Sequence, residues 1–144
     1  MATARDIAKF FLMMDSQNEG NGISNLKLQK LVYYAQGFFC AIYGRPLFIE
    51  PIEAWTHGPV VPDIYHQYKA YGSNLIPFAY DFNISSLTKD EIDLSAEVFR
   101  VFGQFEAWKL RDMTHEEAPW INNEKTASEI SIDEMMRYFK TRLN

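Results

Sequence analysis

Two histidines, His57 and His115, each lie in a Thr-His pair that stands close to a proline and a tryptophan. The first pair is in "EAWTHGPVVPDIY" and the second in "MTHEEAPW". Imidazole titrates near neutral pH and a carboxylate such as Glu53 can orient it, so these three residues are candidates for acid–base catalysis. The alternative is that both pairs close turns before proline or form a surface that a partner recognises. The second interpretation is favoured, because side chains of this kind commonly close turns.

Other chemistries have weaker support in the sequence. The third histidine, His66, shares no metal-ligand spacing with the other two, and the lone Cys40 excludes a site made of several cysteines. Cys40 lies among aromatic residues and is expected to be a small buried side chain rather than a nucleophile. Nucleophile-elbow and phosphate-loop motifs are absent from the sequence. We therefore predict a protein without catalytic residues, metal or cofactor.

The charge of the chain indicates what kind of partner it suits. Residues 1–45 carry five basic and three acidic groups, whereas the rest of the 144 residues carry nine basic and sixteen acidic groups. An acidic body repels nucleic acid and suits a basic protein partner.

The N-terminal stretch lacks the pattern of a signal peptide, and no apolar run is long enough for a membrane span. We predict one cytoplasmic domain over residues 1–144, with no direct nucleic-acid or membrane binding.

An unusually large share of the residues, 15%, is aromatic. Such rings fill cores and also anchor partners at interfaces, and we expect at least half of the candidates to be in the core. Lys27 and Lys30 are predicted to add a basic edge. The candidate anchors are Tyr33, Tyr34, Trp55, Tyr65 and Trp120.

The periodicity of the sequence predicts a mainly α fold, with about six helices and at most a short β-hairpin. Residues 24–43 form the most informative helix, with Ser24 as its N-cap. Its broad apolar face ends at Ile42, and Gly37 on another stripe of the same helix indicates close approach of a bulky ring or another backbone. Thr3, Thr88 and Ser131 are predicted to cap further helices, while residues 47–55 are predicted to be extended or hairpin-like.

Three stretches of the chain, taken in order, resemble a known family. They are "SNLKLQKLVYYAQGFF", which contains Lys27, Gln29 and Lys30, then "EAWTHGPVVPDIY" and "MTHEEAPW". Together they resemble the signature stretches of the Panacea domain family of GepA-like or SocA-like phage-associated proteins. The resemblance implies a mostly helical antitoxin of a toxin–antitoxin pair that neutralises its toxin by direct protein contact. It implies no catalytic residues, and the family's varied toxins mean that the fold does not name the partner.

The resulting hypothesis is an antitoxin that binds a basic toxin encoded by an adjacent gene. Lys27, Gln29, Lys30, Tyr33, Tyr34, Glu53, Trp55, His57, Tyr65, His115 and Trp120 are the motif or partner-binding candidates. Three alternatives remain open at this stage. They are a small hydrolase or transferase that uses His57, His115 and Glu53, a proteolytic adaptor that presents a partner for degradation, and a general adaptor outside any toxin pair.

Overall fold

The computed structural model describes residues 1–78 and 80–143. In this part of the chain, seven α-helices and three short strands confirm the mainly α class, with one helix more than the six expected. The helices are α1 (Ala4–Gln17), α2 (Asn25–Tyr43), α3 (Pro62–Tyr68), α4 (Lys89–Phe102), α5 (Ala107–Thr114), α6 (Ala118–Ile121) and α7 (Ile132–Lys140). Single 3-10 turns cover Lys69–Tyr71, Ile84–Ser86 and Glu124–Thr126.

Hydroxyl side chains cap the N-termini of the four helices for which the sequence predicted a cap. At α1, the Thr3 hydroxyl accepts the Asp6 N–H while the Asp6 carboxylate accepts the Thr3 N–H. The same reciprocal pair begins α4 with Thr88. Ser24 and Ser131 each accept one backbone N–H at the start of α2 and α7. These bonds satisfy donors that have no partner inside a helix, and they confirm the predicted caps.

Helix α2 lies at the centre of the fold and is covered by α1, α3, α4, α5, α7 and the sheet. At Gly37, an added Cβ atom would lie 2.2 Å from the Phe139 ring on α7. Only glycine permits this distance, which confirms the predicted close approach of a ring. The predicted burial of Ile42 is wrong: its side chain is 50% exposed, because Ile42 lies with Tyr43 on the exposed side of the last turn of α2, whereas Cys40 and Ala41 lie on the buried side.

A small antiparallel sheet lies beside α2, with the strand order β2-β1-β3. Strand β1 (Ile52–Trp55) pairs with β2 (Gly58–Val60) as a hairpin and with β3 (Glu129–Ile130) on its other edge. The prediction of at most a hairpin is therefore wrong by one strand. Two residues are too short to show a strand periodicity in the sequence, and β3 is defined by its pairing with β1.

The described helices include none that is both long and apolar enough to cross a lipid bilayer.

Candidate partner-binding site

The β1–β2 hairpin places His57 at an exposed tip. Trp55 pairs with Gly58, so the connection consists of Thr56 and His57. Gly58 has a positive φ of 110°, and a Cβ atom there would lie 2.5 Å from Lys30 Cε and 2.7 Å from Thr114 Oγ1. Glycine is thus required both for the backbone conformation and for the close contact with α2 and α5. This packing fixes the tip, and His57 is directed outwards.

Two motif residues on α2, Gln29 and Lys30, donate or accept hydrogen bonds that hold the hairpin against this helix. The Gln29 side-chain oxygen accepts the Val61 N–H at 2.8 Å, and the Lys30 ammonium donates to the Pro59 carbonyl at 3.1 Å. Both side chains are buried. The predicted basic edge at Lys30 is therefore wrong, because the ammonium lies under β2 instead of on the surface. Burial, followed by the charge of Arg111, lowers the pKa of Lys30 to about 7.

Lys27 lies in the first turn of α2 and is half-buried. Its ammonium donates to the Gly103 carbonyl at 2.7 Å, which ties α2 to the end of α4. Burial lowers the pKa of Lys27, while the carboxylates of Asp15 and Glu106 act in the opposite direction. Lys27 therefore has a structural contact in addition to its partly exposed surface.

Tyr33 and Tyr34 are buried and form a polar network with Glu117. Their hydroxyl groups donate to the two oxygens of the Glu117 carboxylate at 2.9 Å and 2.8 Å. Arg142 donates to the same carboxylate at 3.0 Å. Burial raises the pKa of Glu117, and these three hydrogen bonds lower it. The two tyrosines join α2 to the segment before α6 and present no surface to a partner.

The exposed His57 belongs to an aromatic and cationic cluster. Its Nδ1 atom accepts a hydrogen bond from Arg111 Nε at 3.2 Å. The ring meets Trp108 edge-on at 5.4 Å, and the Arg111 guanidinium lies 5.0 Å from the centre of the Trp108 ring. Trp108 is 57% exposed although it is a large apolar residue. Exposed rings supported in this way are typical of interface anchors.

The second Thr-His stretch packs behind the hairpin. The His115 ring stacks on Trp120 at 3.8 Å, and Trp120 donates its indole N–H to the Trp55 carbonyl at 2.7 Å. Burial, then Arg111, lowers the pKa of His115, which makes its neutral form dominant at pH 7. Trp55 in turn donates its indole N–H to Glu53 at 2.8 Å. The stretch therefore positions Trp55.

An open cavity of about 580 Å³ lies between the hairpin, α2, α3 and the start of α5, and we name it the hairpin cleft. Its volume is typical of ligand pockets. Among the eleven candidates, it brings together five: Gln29, Lys30, Trp55, His57 and Tyr65. Trp55 and Tyr65 meet edge-on at 5.0 Å and form one wall.

The arrangement does not match the acid–base hypothesis. Of His57, His115 and Glu53, His57 alone is among the described residues that line the hairpin cleft. Glu53 bonds to Trp55, and His57 accepts a hydrogen bond from Arg111 instead of donating one to a carboxylate. Within residues 1–78 and 80–143, no three His, Cys, Asp or Glu side chains are grouped closely enough to hold a metal ion.

Sequence analysis did not identify Trp108 or Lys69, which also line the cleft, or Glu117. One feature of the sequence could have identified Trp108: of the three tryptophans, it is the one that lies outside both Thr-His stretches. Glu117 lies within "MTHEEAPW", but nothing in the local pattern distinguishes it from the exposed Glu116. Its burial depends on α2, which is distant in sequence.

Comparison with known proteins gives the family of this fold and site. The sequence model described as "Antitoxin SocA-like, Panacea domain" matches residues 28–121. The chain belongs to the SocA-like antitoxin family. The match begins in α2 and ends with α6, so this Panacea domain contains the hairpin and every described residue of the hairpin cleft except Asn25, Leu26 and Ala127. The predicted family resemblance is confirmed.

A curated member of the family, "Antitoxin SocA" from Caulobacter vibrioides (strain NA1000 / CB15N), is 50% identical over 54 residues. These residues are 38% of this chain and 29% of that relative, so the aligned part is well under two thirds of the relative's length. No solved structure matches the chain.

Proposed function

We propose that this chain neutralises a cognate protein toxin by direct binding, and that the hairpin cleft with its exposed rim is the contact surface. The observation that carries the proposal is the grouping of Trp55, His57, Tyr65 and Trp108 around one open cavity. Large rings around a pocket of this kind supply most of the binding energy in many protein interfaces. Membership of an antitoxin family makes a toxin the expected partner.

The buried candidates have a supporting role in this proposal. Gln29 and Lys30 hold the hairpin, while Tyr33 and Tyr34 hold the segment that carries Trp120. The net charge of −5 favours a basic toxin, since opposite charges steer association.

Co-expression with the product of the adjacent gene tests the proposal, once that product alone has been shown to arrest growth. We expect the wild-type chain to restore growth and to co-purify with the toxin. Trp108→Ala and His57→Ala should weaken the complex, with a loss of about 2 kcal/mol, or roughly 30-fold in Kd, for the tryptophan. Ile49→Ala is the matched control, because Ile49 is a 78% exposed apolar residue outside the cleft.

Three results would contradict the proposal. If Trp108→Ala and His57→Ala fold normally and bind the toxin as tightly as the Ile49→Ala control, the cleft is not the contact surface. Restored growth without a stable complex, together with faster loss of the toxin, would favour a proteolytic adaptor over neutralisation by binding. If the chain has no effect on the toxic product of the adjacent gene and forms no complex with it, the two do not form the proposed toxin–antitoxin pair.

A further inference from the structure

The hairpin cleft continues into a second cavity on the same side of the molecule. This cavity, of about 1100 Å³, lies between α1, the start of α2, α4 and α5, and we name it the acidic groove. Leu26, Gly72, Ser73 and Trp108 line both cavities. The exposed Trp108 ring therefore stands at the junction, and a single extended segment can contact both cavities.

The two cavities differ in charge. The described residues that line the hairpin cleft include no carboxylate, and they include the exposed cation Lys69, whereas the Lys30 ammonium is buried under β2. The acidic groove is lined by four carboxylates and two cations. The carboxylates are Asp15, Asp93, Glu97 and Glu106, and the cations are Lys27 and Arg100.

Contacts within the protein pair two of the four groove carboxylates with cations, and the ion pairs of the described residues do not include Asp15 or Glu106. Glu97 is paired with Arg100, and Asp93 is paired with Lys89 on α4. Asp15 accepts a backbone N–H from Gly22, and the Glu106 side chain makes no capping hydrogen bond. The apolar walls of the hairpin cleft lower the local dielectric, which strengthens the attraction between the exposed Lys69 ammonium and a bound carboxylate.

We propose that the two cavities form one groove for an extended segment of the partner, with an apolar residue and a carboxylate in the hairpin cleft and a basic residue in the acidic groove. This inference rests on the proposed antitoxin function and adds the chemistry and the orientation of the toxin segment. Charge complementarity determines the orientation, because the reversed segment would place like charges together at both ends.

Random twelve-residue peptides displayed on phage and selected against the intact chain test the proposal. We expect the selected peptides to share one charge order, with Asp or Glu next to an aromatic or aliphatic residue at one end and Lys or Arg at the other. The double variant Lys69→Glu/Glu106→Lys should select the opposite order. A peptide selected on the wild type should bind this variant about tenfold more weakly, as measured by fluorescence polarisation.

The control is Lys140→Glu/Glu116→Lys, which reverses two exposed charges outside both cavities. It should select the wild-type order and bind the selected peptide unchanged. The proposal is overturned if no peptides are enriched, if they show no common charge order, or if the groove variant keeps the wild-type order. Growth rescue is a separate measurement, so rescue without charge order refutes this inference alone, and charge order without rescue refutes the antitoxin function.

Discussion

Replacing Lys30 with methionine tests how much a buried ammonium reduces the stability of this fold. Lys30 is fully buried, and its described hydrogen bond is to the Pro59 carbonyl. Burial, followed by the positive charge of Arg111, lowers its pKa from 10.5 to about 7. Methionine has a similar length and no charge, so it keeps most of the packing while it removes the titrating group.

The size and sign of the effect follow from proton linkage. Between pH 7 and pH 10.5 the folded state binds fewer protons at Lys30 than the unfolded state. The free energy of unfolding therefore rises with pH in this window, and the penalty is largest below pH 7. At about 1.4 kcal/mol per pKa unit, the wild type should gain about 3 kcal/mol relative to Lys30→Met between pH 7 and pH 9.5.

Urea unfolding followed by circular dichroism at several pH values measures this difference. Other titrating groups contribute equally to both proteins and cancel in the comparison. Lys140→Met is the matched control, because Lys140 is exposed and its replacement should change the free energy of unfolding by less than about 0.5 kcal/mol. A constant difference between Lys30→Met and the wild type over pH 7 to 9.5 would refute the reasoning, since the folded-state pKa would then be that of an ordinary lysine.

Two further substitutions test the packing around α2. Gly37→Ala should destabilise the protein by about 2 kcal/mol in urea unfolding, because the new methyl group overlaps the Phe139 ring, and Phe139→Leu in the same chain should recover part of this loss. A more stable Gly37→Ala protein would show that helix propensity outweighs the contact. Glu117→Gln should lower the free energy of unfolding by about 2 kcal/mol, because it removes the charge that accepts hydrogen bonds from Arg142 and two tyrosines. The control Glu116→Gln, at an exposed position, should change it by less than about 0.5 kcal/mol. Equal effects of these two changes would contradict the role given to the network.

The local features of the fold were predictable because their causes lie within a few residues of each other. The caps at Thr3 and Thr88 depend on a partner three residues away, and both are confirmed. Strand β3 was missed because its definition depends on Ile52, which is distant in sequence from its partner Ile130. The same limit applies to Lys30, whose surroundings are β2 and α5, and no local pattern distinguishes it from the partly exposed Lys27.

The predicted site residues include both buried and exposed positions, and the sequence pattern does not separate the two. Tyr33 and Tyr34 were equal candidates with Trp55 and Tyr65, yet their hydroxyl groups are bonded to a buried carboxylate. Burial of this kind depends on which helix covers each face of α2, and that information is non-local. His57 is exposed because it lies in the two-residue connection that ends the hairpin.

In the proposed function, this division separates the residues that hold the hairpin from those that contact the toxin. Gln29 and Lys30 hold the hairpin in place whatever lies in the cleft, because their hydrogen bonds are to backbone atoms of Val61 and Pro59. Trp108 and Lys69 line the cleft, and neither belongs to the three stretches that carry the family resemblance. We therefore expect substitutions at these two positions to change the choice of partner while the fold is retained, whereas substitutions at Gln29 reduce stability first.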